Sequence, residues 1–328
     1  MTSKYTLTLE DGRVIEATEE QVAIIEYALA NPERCVIVNS LAGSAKTSTL
    51  RFLAKYLSQI PTLSLAFNKR IVDELIKVLP ANVKPSTINS LGHRAWGSQI
   101  GKKLIVDTKK NADILKMLME PMRKVEQGDV WNNFGDLIKA ISKAKLSGYV
   151  PANSIGSKSL LSEEEFFATL EEEPDSWFIG LVNKALAESI KRAYGGLIDF
   201  DDQIYMPTLF GGVFPSFPRI MGDEVQDWSE INHAMVDRLM SPKTQLLGVG
   251  DPWQSIYAFR GAVTSSMARL KERYNMHELT LSVSFRCPIQ VVKKAHDRVP
   301  HMKWPAWAIE GSVEYLEMWN ARDIPDHA

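Results

Sequence analysis

The chain has 328 residues, 45% of them hydrophobic and 24% charged, with a formal net charge of -2. This composition supports two or three packed units and argues against bulk disorder, and near-neutral charge makes any nucleic-acid face local rather than a field of the whole protein. Two cysteines, Cys35 and Cys287, argue against a disulfide scaffold, and there is no 18-residue apolar run to span a membrane.

The start, Met1-Thr-Ser-Lys-Tyr5, lacks the apolar run of a signal peptide, so a cytoplasmic, non-secreted location is expected. Residues 5–16 alternate about Asp11-Gly12, which predicts a β-hairpin. Thr18 is placed to N-cap a helix whose apolar stripe runs on to Ala30. Gln21 in that helix reads either as a solvated residue or as an amide matching the donor and acceptor edges of adenine. The apolar run Cys35–Val38 precedes Asn39-Ser-Leu-Ala-Gly-Ser-Ala-Lys-Thr-Ser-Thr-Leu50 and a helical pattern from Thr49 to Leu57. Strand, small-residue loop, Lys-Thr and helix make the build of a phosphate-binding loop, or else an ordinary strand-to-helix turn. In the first reading the stretch Gly43, Ser44, Ala45, Lys46, Thr47 and Ser48 turns backbone N–H groups to a nucleotide. Lys46 reaches the β/γ-phosphates and the Thr47 hydroxyl ligates Mg²⁺. Ser40 and Ala45 stand where glycine is usual, so Ala45 must take the turn's backbone angles without glycine's freedom.

Leu63–Phe67 is expected as a second strand, Ile71–Val78 as a helix, and Ser86-Thr-Ile-Asn-Ser-Leu-Gly92 as a further strand. Strand, helix and strand at this spacing predict a parallel sheet. Ligands of such sheets meet the carboxyl ends of the strands, where Asn68, Lys69, Thr87 and Ser90 fall. Residues 98–196 read as a mostly helical insertion, with helical runs at Ile114–Met119, Phe134–Ala144 and Phe178–Ala193. Residues 102–145 carry ten basic against six acidic side chains, whereas residues 161–175 carry seven acids and no base. The basic side suits a phosphate backbone or a solvated face.

The sheet pattern then resumes. Phe217-Pro-Arg-Ile-Met221 leads to Gly222-Asp-Glu-Val-Gln-Asp227, and Thr244–Val249 leads to Gly250-Asp-Pro-Trp-Gln-Ser-Ile-Tyr-Ala-Phe-Arg-Gly261. Glu278–Val283 leads to Ser284-Phe-Arg-Cys-Pro288. Asp223 is placed to hold the Mg²⁺ shell and Glu224 to polarise an attacking water, although adjacent carboxylates are also common on solvated loops. Gln254 reads as a contact to the γ-phosphate or the water. Arg286 reads as a bidentate fork for the γ-phosphate or as a surface arginine. Trp253, Tyr257 and Phe259 beside Arg260 suit base stacking or core packing, and Phe285 beside Arg286 suits an adenine. A helix follows from Ile289 to about Asp297, and Gly311–Met318 reads as one more strand.

The ordered set resembles the amino-terminal part of superfamily 1 DNA helicases of the UvrD/Rep/PcrA type over roughly residues 15–290. The matching stretches are Thr18-Glu-Glu-Gln21, Leu41–Thr47, Ala66–Lys69, Ser86–Gly92, Asp223–Asp227, Gly250–Ala262 and Ser284–Pro288. The resemblance implies an α/β fold: a P-loop NTPase RecA-like parallel sheet with a mostly helical insertion. It implies a first RecA-like motor domain from residues 1–97 with 197–290, a 1B-like insertion at 98–196, and at 291–328 a linker and the start of a truncated second RecA-like domain. By position, Gln21 would read adenine, Phe285 would stack on it, and Lys46, Thr47 and Asp223 would hold ATP and Mg²⁺. Glu224 would activate water, Gln254 would couple the γ-phosphate to DNA, and Arg286 would contact that phosphate. Phe259 would stack a base, with Tyr257, Arg260, Phe67, Asn68, Thr87 and Ser90 near the path of single-stranded DNA. The implied function is the ATP-binding portion of a 3′-to-5′ DNA helicase acting in replication or repair on single strands and single/double-strand junctions, with a separate second motor domain or a loading protein as partner. The alternative is an ATP-switched single-stranded DNA-binding module that does not translocate. A metabolic phosphotransferase is disfavoured because no acceptor pocket is suggested. Ala45, Asn89 (where His is common) and the shifted aromatic at Ala66-Phe67 depart from the family pattern.

Overall fold

The structure is a computed structural model that describes residues 3–9, 11–152, 154, 158–254 and 266–314. The chain opens on an antiparallel hairpin, β1 (Thr6–Thr8) and β2 (Val14–Glu16), followed by α1 (Glu19–Ala30). Thr18 caps α1 as expected: its hydroxyl accepts from the Gln21 N–H while the Gln21 side chain accepts from the Thr18 N–H.

Six parallel strands form the central sheet: β3 (Val36–Ser40), β4 (Thr62–Ala66), β5 (Val83–Thr87), β8 (Arg219–Gly222), β9 (Gln245–Gly250) and β10 (His277–Leu281), in the order β10-β3-β9-β8-β4-β5. Successive side chains on a strand point to opposite faces, so nearly continuous apolar strands must be covered on both sides. Val36 and Val38 accordingly join the core shared with α1 and with α2 (Lys46–Tyr56), while Ile37 joins the opposite core. That second core is closed by α4 (Ile88–Ile100), α10 (Asp202–Leu209), α11 (Glu230–Leu239) and α12 (Ser266–Arg273). Helix α3 (Lys69–Val78) lies beside β5 at the sheet edge. The strand expected over Ser86–Gly92 is corrected: the strand stops at Thr87 and α4 begins at Ile88. The Thr87 hydroxyl accepts from the Ser90 N–H at 3.0 Å, and this cap turns the chain from extended to helical.

The helical stretch contains α5 (Lys110–Met119), α6 (Lys124–Asn132), α7 (Phe134–Ser147), α8 (Glu163–Phe167) and α9 (Ser176–Tyr194). Leu115, Leu137, Ile141, Phe166, Val182 and Leu186 belong to a core of its own. Short parallel strands β6 (Ile105–Val106) and β7 (Leu197–Ile198) close its base. There Lys110 and Lys145, both fully buried, pair with Asp202, and Lys145 also pairs with Asp199. The chain continues into α13 (Ile289–Ala295). Of the strand expected at Gly311–Met318, residues 311–314 are not extended into a sheet and the rest lies outside the described residues. No described helix is long and apolar enough to cross a membrane.

Candidate nucleotide site at the carboxyl edge of the sheet

The loops after β3, β8, β9 and β10 converge because all four strands run the same way. β3 ends at Ser40, and the loop tightens through the Ser44 N–H to the Leu41 carbonyl at 3.0 Å and Ser40 Oγ to Ser44 Oγ at 2.7 Å. Gly43 sits at φ +73, and a Cβ there would lie 2.7 Å from Arg286 Cβ, so this glycine admits the neighbouring loop as well as the turn. Ala45 does adopt the left-handed region, at φ 62, directly before Lys46. An L-residue held there costs about 1–3 kcal/mol.

Lys46 donates from Nζ to Glu224 Oε2 at 2.7 Å. Glu224 is itself left-handed, at φ 49, so both ends of this bridge sit beside strained backbone. The preceding Asp223 is held by its N–H to the Leu65 carbonyl at 3.0 Å and is buried. Burial first, and then the Glu224 charge, push the Asp223 carboxyl up to about 6. The same causes raise Asp227 to about 6, and burial raises Asp251. Four carboxylates thus face a single described lysine, an electrostatic setting that a further cation relieves. Asp223 and the exposed Thr47 hydroxyl each offer an oxygen donor of the kind Mg²⁺ takes, alongside waters and phosphate oxygens. Among the described residues no group of three or more His, Cys, Asp or Glu forms a self-sufficient metal site.

Gln226 ties two of the loops together. Its Nε2 donates to Glu224 Oε2 at 2.8 Å, and its Oε1 accepts from the Asp251 N–H at 3.0 Å. A Cβ on Gly250 would lie 2.5 Å from that Oε1, which explains the glycine. Sequence reasoning gave Gln226 no role, although it lies between two of the motif's acids. A second tie was also missed. Ser266 Oγ donates to the Val225 carbonyl at 2.6 Å and meets His233 Nε2 at 2.9 Å. Burial, with Arg269 and Arg273, lowers His233 to about 4, so the imidazole is neutral at pH 7.

Gln21 is buried, with both ends of its amide engaged: Oε1 accepts from Thr18 and Nε2 donates to Thr49 Oγ1 at 2.9 Å. One lone pair and one N–H remain for another partner. Phe285 donates its N–H to the Gly43 carbonyl at 2.9 Å, which sets the next residue, the exposed Arg286, against the loop. Gln254 is exposed in a turn closed by its N–H onto the Asp251 carbonyl at 3.1 Å. Ser48 lies in the first turn of α2.

Along the same edge Phe67 is 41% exposed and Asn68 caps α3, its Oδ1 accepting from the Ile71 N–H at 3.0 Å. Thr87 and Ser90 are engaged with each other at the start of α4. Tyr257, Phe259 and Arg260 lie outside the described residues. The structure adds Phe200, 60% exposed, whose carbonyl accepts from Asn89 Nδ2 at 3.1 Å. The sequence Asp199-Phe200-Asp201 does not by itself announce this exposure, which the fold creates. A cavity of about 440 Å³ lies between β5, α4 and residues 213–217, away from the loops after β3, β8, β9 and β10.

Residues 18–275 match the family model for the UvrD/REP helicase N-terminal domain. The chain is 26% identical over 260 residues to F-box DNA helicase 1 of Gallus gallus, covering 76% of this chain and 25% of that protein. It is 22% identical to a probable DNA helicase II homolog of Mycoplasma genitalium, covering 79% of this chain and 40% of the relative. It is 26% identical to the ATP-dependent DNA helicase Rep of Buchnera aphidicola, covering 85% and 42% respectively. The chain therefore spans between a quarter and about two-fifths of the length of these relatives.

Proposed function

The chain belongs to the UvrD/REP helicase N-terminal domain family, and from that premise we propose that it is the ATP-binding motor portion of a 3′-to-5′ DNA helicase whose hydrolysis responds to single-stranded DNA. The observation that carries this reading is the Lys46–Glu224 bridge at 2.7 Å, with Gln226 joining Glu224 to the Asp251 turn. In this reading residues 1–97 and 197–290 form the motor domain, and residues 98–196 lie as an insertion over the DNA side.

The chemistry follows from the charges. A triphosphate on the N–H groups of the Gly43–Ser48 turn draws Lys46 toward its β- and γ-oxygens. That movement releases Glu224, which then accepts a proton from water attacking the γ-phosphorus in line, as the bond from that phosphorus to the β–γ bridging oxygen breaks and ADP leaves. Arg286 offers its guanidinium to the charge that develops on the γ-phosphoryl oxygens. Thr47 and Asp223 would hold Mg²⁺, which when bound supplies charge neutralisation on the phosphates. Phe285 supports the adenine, with Gln21 offering its remaining N–H and lone pair. Single-stranded DNA lies along the edge marked by Phe67, Asn68, Thr87, Ser90 and Phe200. The Asp251 turn, followed by Gln254, transmits its presence to Glu224 through Gln226.

Steady-state ATP hydrolysis of the chain with and without single-stranded DNA, beside Glu224→Gln, tests this. DNA-stimulated turnover that disappears in the variant is expected. Turnover equal in parent and variant would remove Glu224 from the chemistry. ATP binding with no DNA-stimulated turnover in the parent would favour the second reading, a nucleotide-switched DNA-binding module.

A further inference from the structure

Residues 303–311 form a strap over the Ser284-Phe-Arg-Cys-Pro288 loop. Its first end is pinned by the Lys303 N–H to the Ser282 carbonyl and the Ser284 N–H to the Lys303 carbonyl, both at 2.8 Å. The other end is pinned where the Ile289 and Gln290 N–H groups at the start of α13 donate to the Ile309 and Glu310 carbonyls at 2.9 and 3.0 Å. Gly311 seats this end at φ +66, where a Cβ would lie 2.4 Å from Pro288 Cβ. Between the pins, the Ala308 N–H closes a turn on the Pro305 carbonyl at 2.9 Å, and that turn carries Trp307.

Trp307 is 69% exposed, yet its turn is tied down on both sides. Its ring is inclined 27° to that of Phe285, with centroids 6.3 Å apart. Phe285 in turn donates to the Gly43 carbonyl, so the aromatic pair adjoins the phosphate loop. The strap is also linked to α1, because the Glu20 carboxylate accepts from Ser282 N–H at 2.7 Å and lies 4.0 Å from Lys303 Nζ. Gln21 follows Glu20, so strap, α1 and phosphate loop meet around one place. A large, nearly parallel aromatic surface held in water by a fixed turn suits a flat π ligand.

We propose that Trp307 is a second aromatic wall of the base subsite, gripping together with Phe285 the nucleobase of a nucleotide whose phosphates rest on Gly43–Thr47. The proposal rests on the nucleotide-binding reading above and extends it to base affinity. Stacking is tolerant of base identity but needs a base, so Trp307 separates nucleotides from base-free phosphates.

The test is calorimetric titration of the full chain with Mg·ADP and with Mg·pyrophosphate, for the parent, Trp307→Ala, Trp307→Phe and Lys46→Ala. Trp307→Ala is expected to weaken ADP about 5- to 100-fold while leaving pyrophosphate unchanged, and Trp307→Phe to retain most of the ADP affinity. Lys46→Ala should weaken both ligands. ADP binding by Trp307→Ala equal to the parent would overturn the wall and leave the nucleotide site standing. An equal loss of ADP and pyrophosphate in Trp307→Ala would also overturn it, since the effect would then be on the loop rather than the base. A parent that binds neither ligand would overturn both readings.

Discussion

Lys46 and Lys145 are both lysines paired with a carboxylate, and their settings are opposite. The side chain of Lys145 is fully buried among Asp199, Asp202 and Ser189, with Lys110 as a second cation, so two lysines pair directly with two aspartates, while burial and Asp199 raise the neighbouring Asp201, held by Ser142, to about 6. Burial alone would lower the Lys145 pKa, but the two aspartates reverse this and raise it. Burial would likewise raise Asp202, and Lys145 and Lys110 pull it down to about 2. Lys46, by contrast, is partly exposed and faces an excess of carboxylates, two of them, Asp223 and Asp227, raised to about 6. The paired network ties α5 and α7 of the helical stretch to α10, which packs on the sheet. The unbalanced one is held by strained backbone and has capacity for further cationic charge. The same residue types make a staple or a switch according to burial and charge balance.

The largest test of this contrast removes one partner from each region. Lys145→Ala leaves Asp199 and Asp202 short of a buried cation and is expected to cost about 3–5 kcal/mol in urea unfolding. Glu224→Gln is expected to change stability by less than about 1 kcal/mol, since the Lys46 bridge is partly exposed. Its turnover should fall about 100- to 10,000-fold. Equal destabilisation by both variants would erase the distinction.

Acid should act on Asp202 and on Asp223 with opposite sign. The folded pKa of Asp202 is depressed, so its stabilising contribution is present above pH 4 and is lost as pH falls toward 2. The folded pKa of Asp223 is raised, so its ionisation opposes folding by about 3 kcal/mol above pH 6, and that penalty is relieved as pH falls from 6 to 4. Comparison of unfolding curves of the parent with Asp202→Asn and Asp223→Asn across this range should therefore show slopes displaced in opposite directions.

Phe200 joins the two regions, since it stands between stapled Asp199 and the edge where Asn89 holds its carbonyl. Phe200→Ala is expected to weaken single-stranded DNA by about 1–3 kcal/mol in fluorescence anisotropy with little change in stability. The smallest effect is expected at Thr18→Ala. Loss of this cap should cost about 1 kcal/mol and raise the apparent Kd for nucleotide only slightly, through the orientation of Gln21.

Much of this organisation was legible in the sequence because it is local. The αL demand on Ala45, the cap at Thr18 and the carboxylates after an apolar strand all follow from neighbouring residues. The extent of α4 was misread because β-branched Thr87 and Ile88 look extended, while the deciding signal was a hydroxyl three residues before Ser90. Gln226, Phe200 and the Ser266–His233 tie were not legible, because their partners are brought near only by tertiary packing. The buried staple was hidden for the same reason: Lys110 and Lys145 count as solvated charges until the fold brings them to aspartates 92 and 54 positions further along the chain.

The most direct test of the account is equilibrium binding of Mg·ATP to the parent, Glu224→Gln and Lys46→Ala. If Lys46 is shared between Glu224 and the incoming phosphate, Glu224→Gln binds as tightly as the parent or up to about 5-fold tighter, because no bridge must be opened. Lys46→Ala then binds far more weakly than either. A loss of affinity in Glu224→Gln as deep as that in Lys46→Ala would contradict the account, and so would Lys46→Ala binding as well as the parent.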